Sequence, residues 1–431
     1  MAEYNRPQSE AEFNENFKDK TPLMNDTQAH YESSRCLFCY DAPCMNACPT
    51  AIDIPLFIKK INTGNIDGAA QTIYDSNWIG NACGTVCPTG VLCEGACVYN
   101  KQSVPAVQIG KLQNFATRHV IDNNKKLFEA GKDNGKKIAI IGGGPAGISC
   151  ACELRKMGYT ADIFEAKDKP SGLTVYGIAP YKITNEEVLD EVKYLQEQLG
   201  FNIKYNSPIS SKDQLEQIEK DYDAVFIGVG LGPTAFRNIP GEDKSGIIGA
   251  VEFVEDLRMN HHKTNVGKEV IILGGGNTAM DAASESARMG ATKVILAYRG
   301  SKEKMGAYDF EYELAISSGI KSVFDANPKE FLGEDSVEGV KFSRADGSEF
   351  TINCDMVIKA TGQAKMGSFF KLIDNMETDE SSRIKVNKKN NQTSNPKYFA
   401  GGDAINGGAE VVNAAYDGKL AALGIHKWLN E

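Results

Sequence analysis

Apolar residues occur in two patterns along this chain. Ahead of about residue 130 they recur every three or four positions, as in IPLFIKKINTGNIDGAAQTIY and GKLQNFATRHVIDNNKKLFEA, which predicts amphipathic helices. From Lys137 the pattern becomes KIAIIGGGPAGISCACELRKMGYTADIFEA: an unbroken apolar run, a glycine-rich turn, a helical stretch and a second apolar run. Unbroken runs of this length between turn signals predict strands buried on both faces, as in parallel sheets. The same order returns as KEVIILGGGNTAMDAASESARMGATKVILAYR. Two copies of one strand, turn, helix and strand unit predict two dinucleotide-binding modules, and the repetition identifies them better than either copy alone.

Between the helical region and the first module, EAGKDNGKK is polar, contains glycine and offers nothing to bury, so it reads as a linker. Short strands ending in Gly, DAVFIGVGLG around Val225 and CDMVIKATGQ around Ile358, mark where the chain passes between domains. Near the end, the polar loop NKKNNQTSNPK precedes KYFAGGDAINGGAEVVNAAYDGKLAALGIHKWL, a strand, a Gly-Asp turn and a helix. The second module is therefore read as inserted into the first, with the C-terminal piece returning to complete it. The predicted class is α+β multidomain, with an N-terminal helical, cysteine-bearing domain over 1–135 and two Rossmann-like α/β nucleotide-binding domains. The first of these takes 136–235 and 365–431, and the inserted one takes 236–364.

A chain of 431 residues exceeds one hydrophobic core. Apolar residues at 42% and charged residues at 24% are ordinary for a globular protein, and no apolar run approaches the ~18 residues that span a bilayer. No membrane association is expected. The polar, acidic N-terminus has no apolar segment of the secretory kind, so the chain is expected in the cytoplasm. A net charge of -10 argues against nucleic acid as a partner.

In the first glycine turn, Gly142, Gly144 and Gly147 give G-x-G-x-x-G around Pro145 and Ala146. The first Gly makes the tight turn, the second admits the pyrophosphate and the third allows close helix packing, with the helix N-terminus facing the phosphates. Glu165 closes the next strand, where a carboxylate accepts hydrogen bonds from a ribose diol. In the second turn, Gly274, Gly275 and Gly276 lead through Asn277 and Thr278 to Ala279, which takes the third glycine's place. The following strand ends in Arg299, not an acid; this cation would stack on adenine or meet a phosphate, or is simply exposed at a strand end. The acid-bearing module suits FAD and the other a nicotinamide cofactor. After the strand KYFA, Gly402-Asp403 is placed to hydrogen-bond a ribityl chain, the plain alternative for Asp403 being a helix cap. Cys150, Cys152 and Cys354 read as packing residues.

Eight of the eleven cysteines fall within the first hundred residues, as C-x2-C-x4-C-x3-C-P (Cys36, Cys39, Cys44, Cys48) and C-x3-C-P-x4-C-x3-C (Cys83, Cys87, Cys93, Cys97). In a reducing compartment such crowding points to metal ligation before disulfides. Zinc favours paired C-x2-C knuckles, and one such pair occurs here; closely spaced runs with Pro after a Cys resemble ferredoxin ligation of iron-sulfur clusters. Clusters beside a flavin fit together chemically, since a flavin takes two electrons at once and releases them singly to one-electron carriers.

From about Ser33 to Trp428, the order of cysteine domain, FAD turn, inserted nicotinamide turn and GGD return is similar to the small subunit of glutamate synthase. The stretches CLFCYDAPCMNACPTAIDIPLFI, CGTVCPTGVLCEGAC and PAVQIGKLQNFAT resemble more closely the cluster domain of dihydropyrimidine dehydrogenase. The chain is identified as a member of the NAD-dependent flavoprotein subunits of the bacterial two-subunit forms of that enzyme. This resemblance implies oxidation of NADH through FAD and two 4Fe-4S clusters, with an FMN- and iron-sulfur-containing partner subunit that reduces uracil or thymine to the 5,6-dihydropyrimidine. The alternative is the small subunit of glutamate synthase or of a ferredoxin-linked NAD(P)H oxidoreductase.

The resemblance also implies ligands: Cys36, Cys39, Cys44 and Cys97 for one cluster, and Cys48, Cys87, Cys93 and Gln113 for the other. Spacing alone would choose Cys83 in place of Gln113. Further implied are FAD contacts at Gly172, Leu173, Lys182 and Ile209, and nicotinamide-cofactor contacts at Asn277, Thr278 and the Ala360-Thr361-Gly362 turn. Many relatives carry Asp where Asn277 stands, and those using NADPH place basic residues at the positions of Gly300 and Gly306. Without those cations, NADH is expected over NADPH.

Overall fold

The computed structural model describes residues 4–18 and 22–431. They form two compact units: Lys20–Val175, Lys182–Leu231 and Lys365–Glu431 in the larger, Met1–Asp19, Tyr176–Tyr181 and Gly232–Ala364 in the smaller.

The larger unit is built on a parallel sheet whose central strand is the buried run Lys137–Ile141. Thr160–Phe164 and then Asn202–Lys204 lie to one side of it, Ala224–Ile227 and then Tyr398–Ala400 to the other. The last pairing, Tyr398 with Val225, brings the C-terminal segment back beside a strand that precedes the inserted unit. The helix Pro145–Lys156 follows the first glycine turn, and the C-terminal helix Val411–Asn430 lies against it so closely that a Cβ on Gly418 would stand 2.0 Å from the Ala146 carbonyl.

The cysteine-bearing segment of this unit is helical. One stretch read above as continuous is two helices, Ile54–Asn62 and Ile66–Ser76. Gly64 turns the chain at φ +79°, and the Asn65 side chain caps the second helix by accepting the Gly68 N–H. Ile54, Phe57, Ile58 and Ile61 are all buried, the spacing expected of one apolar helix face. The stretch read as a linker is seated on the unit: Gly131 N–H donates to the Arg155 carbonyl and Asn134 N–H to the Gly158 carbonyl. Just ahead of it, Phe128 is buried against Trp78, and its N–H and that of Leu127 donate to Gln198.

The smaller unit repeats the sheet plan. Its central strand Glu269–Leu273 is flanked by Lys293–Ala297 and Lys321–Val323 on one side, Met356–Lys359 and Ile247–Gly249 on the other. An antiparallel sheet of Asn327–Leu332, Gly339–Ser343 and Glu349–Asn353 is added. The helix Glu10–Asn16 and the segment Tyr176–Tyr181 also belong to this unit, where Phe13, Phe17, Ala179 and Tyr181 share a buried cluster with Leu257 and Met289. Among the described residues, no helix is long and apolar enough to cross a membrane.

Candidate functional site

Short helices and their ends position the cysteines. Cys44 lies in Pro43–Ala47 and Cys48 caps it; Cys83 lies in Gly80–Val86 and Cys87 caps that helix; Cys97 precedes Val98–Gln102. Cys36, Cys39, Cys44 and Cys97 line one cavity, walled by apolar side chains including Leu37, Ile54, Ile58 and Ile109. Burial pushes the Cys44 thiol up to about 11, with the Cys36 and Cys97 sulfurs adding to the effect. Cys36 is raised by burial and by Cys39 and Cys97.

A second set gathers around Cys87. Its thiol is raised first by a hydrogen bond to Cys83, then by burial, then by the sulfurs of Cys83, Cys93 and Cys48. Cys93 is raised by burial, then Glu94, then Cys48. Gln113, buried on helix Ile109–Asp122, donates from Nε2 to the Gly80 carbonyl at 2.7 Å, at the start of the helix that carries Cys83.

Crowded buried thiols that resist ionising alone are the donor set that bound metal neutralises. Among the described residues, no three His, Cys, Asp or Glu side chains converge as ligands of one ion. Each iron of a 4Fe-4S cluster takes one thiolate, so the four ligands stand apart across the cluster. Four cysteines lining one cavity suit such a donor set.

At the first glycine turn, Gly142 has φ +103° and a Cβ there would stand 2.5 Å from the Gly228 carbonyl. A Cβ on Gly147 would meet the Gly142 carbonyl at 2.0 Å, while one on Gly144 would meet nothing within 4 Å, leaving open space where a pyrophosphate approaches. Pro145 opens the helix and Ala146 is buried in it. Glu165 is buried, one oxygen accepting the Gly143 N–H at 2.7 Å and the other the Lys167 N–H at 2.8 Å. A carboxylate oxygen has a second lone pair, so a ribose hydroxyl can still be met. A Cβ on Gly172, which has φ +51°, would stand 3.2 Å from Gly144 Cα, and Leu173 begins the next helix. Lys182 follows the segment Tyr176–Tyr181, and Ile209 packs against the sheet's apolar cluster.

Asp403 opens a one-turn helix, Asp403–Asn406, and accepts the Ala409 N–H at 3.1 Å, so it does serve locally as a turn residue. Burial holds its carboxyl above the usual range, opposed by that N–H and by Lys365. Sequence reasoning missed Asp417, whose Oδ2 accepts the Gly402 N–H at 3.0 Å and holds that residue at φ +68°.

At the second turn, Gly274 has φ +153° and a Cβ there would stand 2.5 Å from the Ala360 carbonyl. Gly275 backs onto the Tyr298 ring and Gly276 faces open space. Asn277 opens helix Asn277–Arg288 and accepts the Tyr308 N–H at 3.0 Å; Thr278 follows it and Ala279 is buried. Arg299 is exposed beyond the strand end. The Ala360-Thr361-Gly362 turn, with Gly362 at φ +99°, is braced by residues the sequence did not single out. Arg237 donates to the Thr361 carbonyl, and buried Glu242 pairs with Lys359 while accepting the Arg237 and Ile239 N–H groups. Ser171 Oγ beside the first turn and Thr361 Oγ1 at the second are buried with no hydrogen-bond partner among the described residues, as expected of sites completed by a bound group.

Residues 13–125 match the family model described as dihydropyrimidine dehydrogenase domain II, 4Fe-4S cluster. Residues 87–188 and 136–418 match that of the pyridine nucleotide-disulphide oxidoreductases, and the chain belongs to that family. It is 34% identical to the glutamate synthase (NADPH) small chain of Escherichia coli (strain K12), over 94% of this chain and 92% of that one. To the NAD-dependent dihydropyrimidine dehydrogenase subunit PreT of the same strain it is 33% identical, over 96% and 98%. Within the family it is therefore a member of the group that unites these flavoprotein subunits. Mycobacterium tuberculosis FprA in complex with NADPH superposes with a TM-score of 0.58 at 19% identity, covering 68% of this chain and 84% of that one, which shows a common fold. The chain is an oxidoreductase with a 4Fe-4S domain ahead of Rossmann-like flavin- and nicotinamide-binding domains.

Proposed function

We propose that the chain is the electron-input subunit of a pyrimidine-reducing enzyme, taking NADH at the Gly274–Ala279 turn and holding FAD at the Gly142–Gly147 turn. Cys36, Cys39, Cys44 and Cys97 would hold one 4Fe-4S cluster and Cys48, Cys87, Cys93 and Gln113 the other; FAD bound at its turn would supply a hydride acceptor, and the clusters would supply one-electron carriage. The single observation that carries this reading is the gathering of Cys36, Cys39, Cys44 and Cys97 around one cavity in the same compact unit as the Glu165-bearing glycine turn. Gly144 leaves the pyrophosphate its space, Glu165 and Asp403 offer carboxylates to hydroxyls, and the Thr361 turn orients the nicotinamide end.

In this reading the final acceptor lies on a partner subunit, in line with relatives that are themselves named as a small chain and as a subunit. The partner is an FMN- and iron-sulfur-containing subunit, and the site is cytoplasmic. The likeness to a glutamate synthase small chain supports a second reading, in which the partner makes glutamate. Mixing the purified protein with each candidate partner and following NADH oxidation with uracil, thymine, or glutamine plus 2-oxoglutarate separates them. Turnover with uracil or thymine is expected; turnover only with glutamine plus 2-oxoglutarate would replace the first reading by the second.

A further inference from the structure

One peptide group in the cysteine-bearing segment is held from both sides. The Gly80 carbonyl accepts the Gln113 Nε2–H at 2.7 Å, and the N–H of the same peptide bond, that of Asn81, donates to Glu191 Oε1 at 2.6 Å. The Ala82 N–H donates to the other carboxylate oxygen at 3.0 Å. Glu191 lies on helix Asn185–Leu199, and every group in this chain of contacts belongs to the larger unit. Gln113, Asn81 and Glu191 are all buried, so bulk water does not compete for these bonds.

A planar peptide carries its C=O and N–H on opposite sides, so a carboxylate on the N–H makes the carbonyl a stronger acceptor. The carbonyl then draws on the Gln113 amide N–H and leaves the amide oxygen richer in electrons. Carboxylates hydrogen-bonded to metal-ligating histidines raise the basicity of those ligands in the same way. Glu187, one helical turn from Glu191, joins the network through side chains: it accepts the Thr85 hydroxyl at 2.9 Å, Asn114 Nδ2–H at 3.1 Å and Asn81 Nδ2–H at 3.3 Å.

Burial pushes the Glu191 carboxyl up to about 7, against the pull of the Ala82 and Asn81 N–H groups and of the Tyr74 hydroxyl, which donates to Oε1 at 3.1 Å. The groups facing it are Tyr74 on helix Ile66–Ser76, Glu187 on its own helix and Cys152 on helix Pro145–Lys156. The Arg118 guanidinium, on helix Ile109–Asp122, acts on Tyr74 and Glu187.

We propose that Glu191 is a positioning residue for the second cluster, acting through the Gly80–Asn81 peptide to orient the Gln113 amide and enrich its ligating oxygen, and so lowering that cluster's reduction potential. This rests on the ligand set of Cys48, Cys87, Cys93 and Gln113. Cluster reduction remains the gain of one electron, and Glu191 makes and breaks no bond to iron.

The test is anaerobic redox titration of the holoprotein at about pH 8.5, where the carboxylate is ionised, followed by electron paramagnetic resonance. Iron content and thermal midpoint are measured alongside, and the second cluster's signal is the one that Gln113→Ala removes or changes. Glu191→Gln keeps the side chain's length and removes its charge. It should hold about eight irons while the second cluster's midpoint moves to more positive potential and the first cluster's stays in place. Glu187→Gln removes a charge that does not bear on the peptide and should give a smaller shift. Tyr74→Phe leaves the charge and both peptide N–H bonds intact and should keep the wild-type midpoint. An unmoved midpoint in Glu191→Gln would overturn the proposal. So would equal shifts in Glu191→Gln and Glu187→Gln, the mark of charge acting through space alone, or an equal shift in Tyr74→Phe, the mark of loosened packing. If Glu191→Gln does not fold, the wild type decides: its second midpoint should fall as pH rises through about 7 and the carboxyl loses its proton, and a pH-independent midpoint would overturn the proposal. A wild-type protein with one cluster, or a Gln113→Ala variant with both signals intact, refutes the ligand set and this inference with it.

Discussion

The side-chain amide of Gln113 donates to the Gly80 carbonyl at 2.7 Å, tying helix Ile109–Asp122 to the first residue of helix Gly80–Val86. With its nitrogen engaged, the amide has its oxygen left as the donor atom for iron. In the proposed ligand set Cys83, which lies on helix Gly80–Val86 and is buried, is not used. Cys83→Ser should therefore retain both clusters, and Gln113→Ala should lose or convert one, read as iron content and the spectrum of the reduced protein. Iron loss in Cys83→Ser with none in Gln113→Ala would reverse the assignment.

The close crossing of the C-terminal helix over helix Pro145–Lys156 leaves no room for a methyl at Gly418. Gly418→Ala should force the helices apart at Ala146, beside the pyrophosphate turn, at a cost of about 1 to 3 kcal/mol. A lowered thermal midpoint together with weaker FAD retention is expected; unchanged values for both would mean that the helices are not held in this register.

Much of this arrangement was legible in the sequence and some was not, for physical reasons. Strands buried on both faces, such as Lys137–Ile141, announce themselves as unbroken apolar runs, and the Gly-Asn pair at Gly64-Asn65 carried the signal for a helix break that the long apolar pattern obscured. Asp417, Tyr181 and Glu242 left no local trace, because their partners, Gly402, Asp281 and Lys359, lie elsewhere along the chain. Glu165 was found from its place at a strand end, but its use of both oxygens on the backbone amides of Gly143 and Lys167 depends on how the turn folds back.

Asp417 shapes the GGD turn through the Gly402 N–H. Asp417→Ala removes an acceptor worth about 1.5 to 3 kcal/mol when charged, so FAD should bind about tenfold or more weakly. Asp417→Asn keeps an oxygen acceptor and should lie between. Titration of released FAD by its fluorescence decides it, and wild-type affinity in Asp417→Ala would remove Asp417 from the site.

The expected preference for NADH over NADPH is tested at the loop after Arg299. Gly306 has open space where a side chain would go, whereas a Cβ at Gly300 would press on the Tyr298 ring at 2.9 Å. Gly306→Arg should thus raise kcat/KM for NADPH by about tenfold, the worth of one charge-assisted bond to a phosphate, with little change for NADH. Wild type with equal kcat/KM for the two cofactors would contradict the expected preference for NADH.

The central claim is that hydride taken by a flavin leaves through two 4Fe-4S clusters, and anaerobic titration of the purified protein with NADH tests it most directly when metal and flavin are counted on the same sample. The account predicts about eight irons and one FAD per chain, a flavin band that bleaches with NADH, and an electron paramagnetic resonance signal from reduced 4Fe-4S clusters. Zinc in place of iron, or a flavin that NADH leaves oxidised, would contradict it.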